Sequence, residues 1–302
     1  MKRNLFIATD VGNGITCIED AANVFMYLIQ GTERVLLFDT GSGIGNVAEF
    51  VSTLTDLPIY VVVSHGHVDH ASGSYDFEEV YLSEKDRDIF PELTKVELRM
   101  EFAEKAASMA AEQGRPTADW GKSDFTPPGP VKLQILENGM EFNLGGRILR
   151  AVSVPGHTPG FTAVFDEMTQ SLFAGDCGNP STFMFLKECT SLEEYYHALL
   201  HLKEEYGGRI KHWILSHMMM EVPVGILDEL IECCETVFEG KASGQNFVFD
   251  FADMGSEDAY FVYPAGVNQL RQDGHLGNII YSTKKRWKEG RDENKSGIYG
   301  KN

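Results

Sequence analysis

Residues 59–63, Ile-Tyr-Val-Val-Val, form an unbroken apolar and aromatic run that stops abruptly at Ser64-His65-Gly66-His67-Val68-Asp69-His70. Such a run, with no polar alternation, reads as a strand buried on both faces, as in parallel sheets covered by helices. Ligands in open α/β sheets collect at the carboxyl ends of the strands, and that is where the histidines fall. Three imidazoles and a carboxylate packed into residues 65–70 point to metal. Imidazole suits zinc, iron or nickel, and an added carboxylate can bind or orient a second ion or its water. Histidine is scarce, nine in 302 residues, so composition alone does not explain the crowding.

The pattern of a strand running into a polar, glycine-flanked turn recurs. Residues 24–29 and 34–38 read as a hairpin that ends in Asp39-Thr40-Gly41-Ser42-Gly43. Residues 133–136, 140–144 and 147–154 read as strands of a second sheet, separated by the turn dipeptides Asn138-Gly139 and Gly145-Gly146. The last of them runs into Pro155-Gly156-His157-Thr158-Pro159-Gly160. A hairpin over 161–174 then ends in Gly175-Asp176-Cys177-Gly178, and a short strand over 212–215 ends at Ser216-His217.

Helices are expected between these strands. Val47, Phe50, Val51 and Leu54 share one helical face, as do Leu98, Phe102, Ala106, Met109 and Ala110. Ser83 and Asp86 resemble a capping box, and Ser191 with Glu194 is another, heading a helix over 191–206 with Gly207 as its stop. His197 and His201 are four apart on that helix, but no Glu follows the first, so the zinc-protease pattern fails and they read as ordinary side chains. A further helix covers 226–238, closed by Gly240.

Composition narrows the partners. An apolar content of 43% supports a substantial core, and 45 acidic against 26 basic residues give a formal charge of −19. That charge repels a phosphate backbone, so nucleic acid is not an expected partner. No apolar run approaches the roughly 20 residues that span a bilayer. The first residues lack a secretory apolar core, and five cysteines without a Cys-x-x-Cys pair suit a reducing compartment, so a cytoplasmic protein with no membrane association is expected.

Taken together, His65, His67, Asp69 and His70, then His157, then Asp176, then His217 resemble the metallo-β-lactamase superfamily, whose pattern is His-x-His-x-Asp-His followed by a distant His, a bridging Asp and a last His. The resemblance implies a four-layer αββα sandwich, two mixed sheets flanked by helices. It implies that His65, His67 and His157 bind one metal ion, that Asp69, His70 and His217 bind a second, and that Asp176 bridges them. Two divalent ions, zinc first and iron or manganese next, would share a hydroxide that attacks a small-molecule ester, lactone, thioester or phosphodiester, with Asp69 orienting the nucleophile. Asp39 matches the family's supporting carboxylate, which hydrogen-bonds a ligand imidazole. Phe183, Phe185 and Met218 are candidates for an apolar substrate pocket. The other readings of the same cage are a non-heme iron redox enzyme, of sulfur dioxygenase or diiron type, and a metal-binding sensor without turnover. The expected organisation is one domain over 1–283, with an insertion around 95–130 and extra strands after 244, followed by a polar tail over 284–302. The oligomeric state is left open between monomer and homo-oligomer.

Overall fold

The computed structural model describes residues 5–112, 114, 118–249, 251, 258–266 and 268–288; the expected polar tail lies outside the described residues beyond Lys288. The chain divides into two compact units. One comprises Met1–Ser153, Gly160–Gly175 and Lys211–Glu221, and the other Val154–Pro159, Asp176–Ile210 and Val222–Asn302.

In the first unit, seven strands make one sheet in sequence order: β1 (Phe6–Gly12), β2 (Ile15–Asp20), β3 (Phe25–Gln30), β4 (Val35–Phe38), β5 (Ile59–Val62), β6 (Glu79–Leu82) and β7 (Lys132–Ile135). β1 to β4 pair antiparallel and β4 to β7 pair parallel. Parallel neighbours need crossovers. These carry α1 (Val47–Val51), α2 (Val68–Ala71), α3 (Ile89–Leu93) and α4 (Val96–Glu112). β7 corrects the expectation that 133–136 belongs to a second sheet: it pairs with β6 at the edge of the first. Its apolar pattern identifies a strand but not a partner, and the α3–α4 crossover returns it beside β6.

The second sheet contains β8 (Glu141–Asn143), β9 (Ile148–Ser153), β10 (Thr162–Asp166) and β11 (Ser171–Phe173). Beyond β12 (Ser181–Met184), which belongs to the other unit, the sheet is completed by β13 (His212–Ile214) and β14 (Glu221–Val222). Successive strands from β8 to β11 are antiparallel, and β13 runs parallel to β11.

The two sheets face each other across a core in which Tyr27, Leu36, Phe38 and Val62 meet Phe142, Leu149, Val164 and Phe173. The other face of the first sheet buries Ile18, Met26, Leu37 and Val61 against Val47, Val51, Ala71 and Phe90. Consecutive residues of β4 and β5 therefore serve different cores, which is why both segments are continuously apolar. The result is a mixed α/β fold of mixed sheets with flanking helices.

Part of the 95–130 segment is tied down. Phe125 pairs with Ile44 and packs on Ala22, Val24 and Ala103, while the buried Arg99 guanidinium donates to the Thr126 carbonyl at 2.7 Å.

In the second unit, β12 lies parallel to β17 (Asn278–Tyr281), and β17 pairs antiparallel with β16 (Tyr260–Phe261), which pairs with β15 (Gln245–Asn246). α5 (Leu192–Tyr206) and α6 (Ile226–Phe238) pack on one another, and α6 also packs on β17. α5 starts with the expected reciprocal cap: the Ser191 hydroxyl accepts the Glu194 N–H and the Glu194 carboxylate accepts the Ser191 N–H. All five cysteines are buried and free, and burial pushes the Cys17, Cys189 and Cys233 thiols up to about 12. Among the described residues no helix is long and apolar enough to cross a membrane.

Candidate metal centre

β5 delivers its histidines because Val61, Val62 and Val63 are all buried and the chain has no polar residue until it leaves the sheet. α2 then turns once, with His67 at its amino end and His67 O accepting from the His70 and Ala71 N–H groups. Thr40 fixes the far end, its N–H and hydroxyl both donating to the His70 carbonyl. His217 follows β13, where the Phe25 N–H donates to Ser216 O and the Tyr27 hydroxyl to Leu215 O. The first unit thus gathers His65, His67, Asp69, His70 and His217.

Their donor atoms converge. His65 Nε2 and His67 Nδ1 are 3.0 Å apart, and His70 Nε2 and His217 Nε2 are 3.1 Å apart. Asp69 Oδ2 lies 3.3 Å from His217 Nε2 and 3.6 Å from His70 Nε2. A tetrahedral ion with metal–ligand bonds of about 2.0–2.1 Å has ligand–ligand edges of roughly 3.3 Å. Within each of the two groups, His65 with His67 and Asp69 with His70 and His217, the spacing is that of ligands around one small cation.

The proton positions support the same conclusion. Asp39 is buried, and its Oδ2 accepts from His70 Nδ1 at 2.8 Å. The Ser64 hydroxyl donates its single proton to the same oxygen at 3.0 Å, so toward His65 Nδ1, at 2.9 Å, it acts as acceptor. Both imidazoles therefore carry the proton on Nδ1 and present the Nε2 lone pair. Asp39 Oδ1 also takes the Ser64 N–H at 2.7 Å. Asp39 reaches this position with a φ of 66°, a left-handed backbone that Asp adopts more readily than most residues. One carboxylate thus sets the tautomers of two histidines, one directly and one through Ser64.

The second unit holds His157 and Asp176, with His157 Nε2 3.6 Å from Asp176 Oδ2. His157 Nδ1 donates to the Phe183 carbonyl at 2.8 Å, a partner that can only accept, so Nε2 is again the lone-pair nitrogen. Tyr195 steadies both loops. Its ring lies where a side chain on Gly156 would sit, a Cβ there falling 2.2 Å from Cδ2, and its hydroxyl donates to the Cys177 carbonyl. Asn179 Nδ2 donates to Asp176 Oδ1 at 2.9 Å. Histidine and aspartate groups able to hold metal ions are therefore present.

The remaining sequence candidates are more scattered. Phe183 is half-buried and Phe185 fully buried, within an aromatic cluster that also includes Phe247, Phe249 and Phe251. Met218 belongs to the first unit and is exposed, with a φ of 62°. His197 and His201 are exposed on α5. Sequence reasoning missed Ser64, Tyr195 and the Phe183 carbonyl. Ser64 adjoins His65 and carried a signal, whereas a backbone carbonyl has none.

A family model described as the metallo-beta-lactamase superfamily matches residues 20–204. The chain is similar to the acyl-coenzyme A thioesterase MBLAC2 of Bos taurus, 25% identical over 185 residues that cover 55% of this chain and 64% of that protein. It is also similar to the atrochrysone carboxyl ACP thioesterase dmxR1 of Cryptosporiopsis sp., 28% identical over 151 residues covering 48% and 35%. The aligned part thus spans less than two thirds of either relative. Among solved structures, a beta-lactamase domain protein from Burkholderia ambifaria matches with a TM-score of 0.54 at 19% identity, covering 78% of this chain and 79% of that one. At that identity the likeness concerns the fold alone.

Proposed function

The chain belongs to the metallo-beta-lactamase superfamily, and from that premise we propose that it is a metal-dependent hydrolase of acyl thioesters. The observation that carries the reading is the convergence of His70 Nε2, His217 Nε2 and Asp69 Oδ2 at the edge lengths of a tetrahedral site. In this reading His65, His67 and His157 would hold one ion and Asp69, His70, Asp176 and His217 another, with Asp176 also serving the first as the family pattern implies. Zinc fits the nitrogen-rich donor set, and iron or manganese fits the same donors. When bound, such ions supply a water acidified towards neutrality and a Lewis acid for the scissile carbonyl.

The chain's own residues supply orientation and proton control. Asp69 stays in reach of water, with 14% of its side chain exposed, and orients the nucleophile through a hydrogen bond. Asp39 and the Phe183 carbonyl keep the Nδ1 protons of His70 and His157 engaged, so those rings do not rotate away during turnover.

Two considerations favour a thioester. Both relatives carry thioesterase names, one for a coenzyme A substrate and one for an acyl carrier protein. In addition, Phe183, Phe247 and Phe249, each partly buried, lie with ring centroids 5.5 to 6.3 Å apart, and an acyl group packed against this cluster would gain apolar contact. The test is a panel of acyl-coenzyme A thioesters of increasing chain length, with lactones, aryl esters and phosphodiesters, offered to metal-loaded protein while free thiol or acid is measured. Release of thiol from acyl thioesters, improving with chain length, is expected. Turnover of phosphodiesters with inert thioesters would contradict the assignment.

A further inference from the structure

Asp86 is a fully buried carboxylate on the short turn after β6, and the metal reading makes no use of it. The sequence assigns it, with Ser83, to a helix cap. The Ser83 hydroxyl does accept a backbone N–H, from Lys85, but the Asp86 carboxylate is directed elsewhere. Its Oδ2 accepts the Gly66 N–H at 3.0 Å and its Oδ1 accepts the Gly160 N–H at 2.7 Å. Gly66 is the residue between His65 and His67, and Gly160 follows His157 by three positions.

Both glycines are built into this contact. A Cβ on Gly160 would stand 2.5 Å from Asp86 Oδ1, and one on Gly66 would stand 3.1 Å from the Phe90 nitrogen and 3.2 Å from the Asp86 carbonyl oxygen. Backbone N–H groups bound by a buried carboxylate form charge-assisted hydrogen bonds, stronger than neutral ones and strengthened further by the low local dielectric. We propose that Asp86 is a positioning residue for metal binding: by holding the Gly66 peptide it fixes the pitch of His65-Gly66-His67 that keeps His65 Nε2 and His67 Nδ1 3.0 Å apart. The assignment rests on the metal reading of the site and is independent of the thioester.

Asp86→Asn tests it. The amide matches the carboxylate in size but has a single oxygen, so its NH2 group must face one of the two N–H donors. Zinc affinity is measured by competition with a chromophoric chelator, beside thermal unfolding of the metal-free protein. The expected result is a folded variant that binds zinc about 10–100-fold more weakly. Wild-type affinity in the variant, with or without a lowered melting temperature, would overturn the assignment. Absence of zinc binding by the wild type would overturn the metal reading as well. Amide exchange in the wild type gives a second test that does not depend on the variant folding. The Gly66 and Gly160 protons are expected to exchange slowly, and fast exchange at either in the folded protein contradicts the clamp.

Discussion

Asp39→Ala is expected to weaken metal binding through two histidines at once. The substitution removes the acceptor of His70 Nδ1 and of the Ser64 hydroxyl, so the Ser64 proton becomes available to His65 Nδ1 and the protonation of both rings changes. Loss of one such supporting partner costs about 10–100-fold in metal affinity or activity. Because His65 and His70 are assigned to different ions, both binding steps should shift. Calorimetric titration of zinc into the metal-free variant reads this directly. A variant in which only one step moves would confine Asp39 to His70. Ser64→Ala should then separate the two routes, since it removes the relay to His65 and leaves the direct bond to His70.

Asp166→Ala is expected to cost about 3–5 kcal/mol of unfolding free energy. Arg147 and Asp166 are both buried and lie 2.6 Å apart. Arg147 also donates to the Asn13 and Gln30 carbonyls, joining the second sheet to the β1–β2 turn and the end of β3 in the first. Removing Asp166 leaves a guanidinium in the interior without its counter-charge, a larger penalty than the net worth of the pair. Denaturant unfolding measures it. Removing both charges together, in Arg147→Met with Asp166→Leu, should recover much of the loss, and additive effects of the two changes would contradict a coupled pair.

The proposed ligand set could be named from the sequence because each member sits where an apolar run ends. A strand such as β5, buried on both faces, announces itself by its lack of alternation, and its carboxyl end is then a fixed place to look. Sheet membership was less legible. β7 has the apolar content of a strand, but whether it pairs with β6 or β8 depends on how the α3–α4 crossover returns, which local pattern does not encode. Asp86 was misread for a similar reason. Its local spacing to Ser83 fits a cap, while its real partners, Gly66 and Gly160, are 20 and 74 residues away. The Phe183 carbonyl could not be read at all, since every residue has one. The aromatic run after Gly244 was visible as apolar sequence, but its association with Phe183 and Phe185 comes from the β12–β17 pairing, which brings distant segments into one small sheet.

The proposed centre consists of two groups of side chains that each hold an ion. Its most direct test is the number of metal ions retained per chain after zinc loading and desalting, in the wild type, His67→Ala and His217→Ala. Two ions are expected in the wild type and one in each variant, with all three proteins folded. Equal metal content in the three proteins would contradict the two-ion assignment.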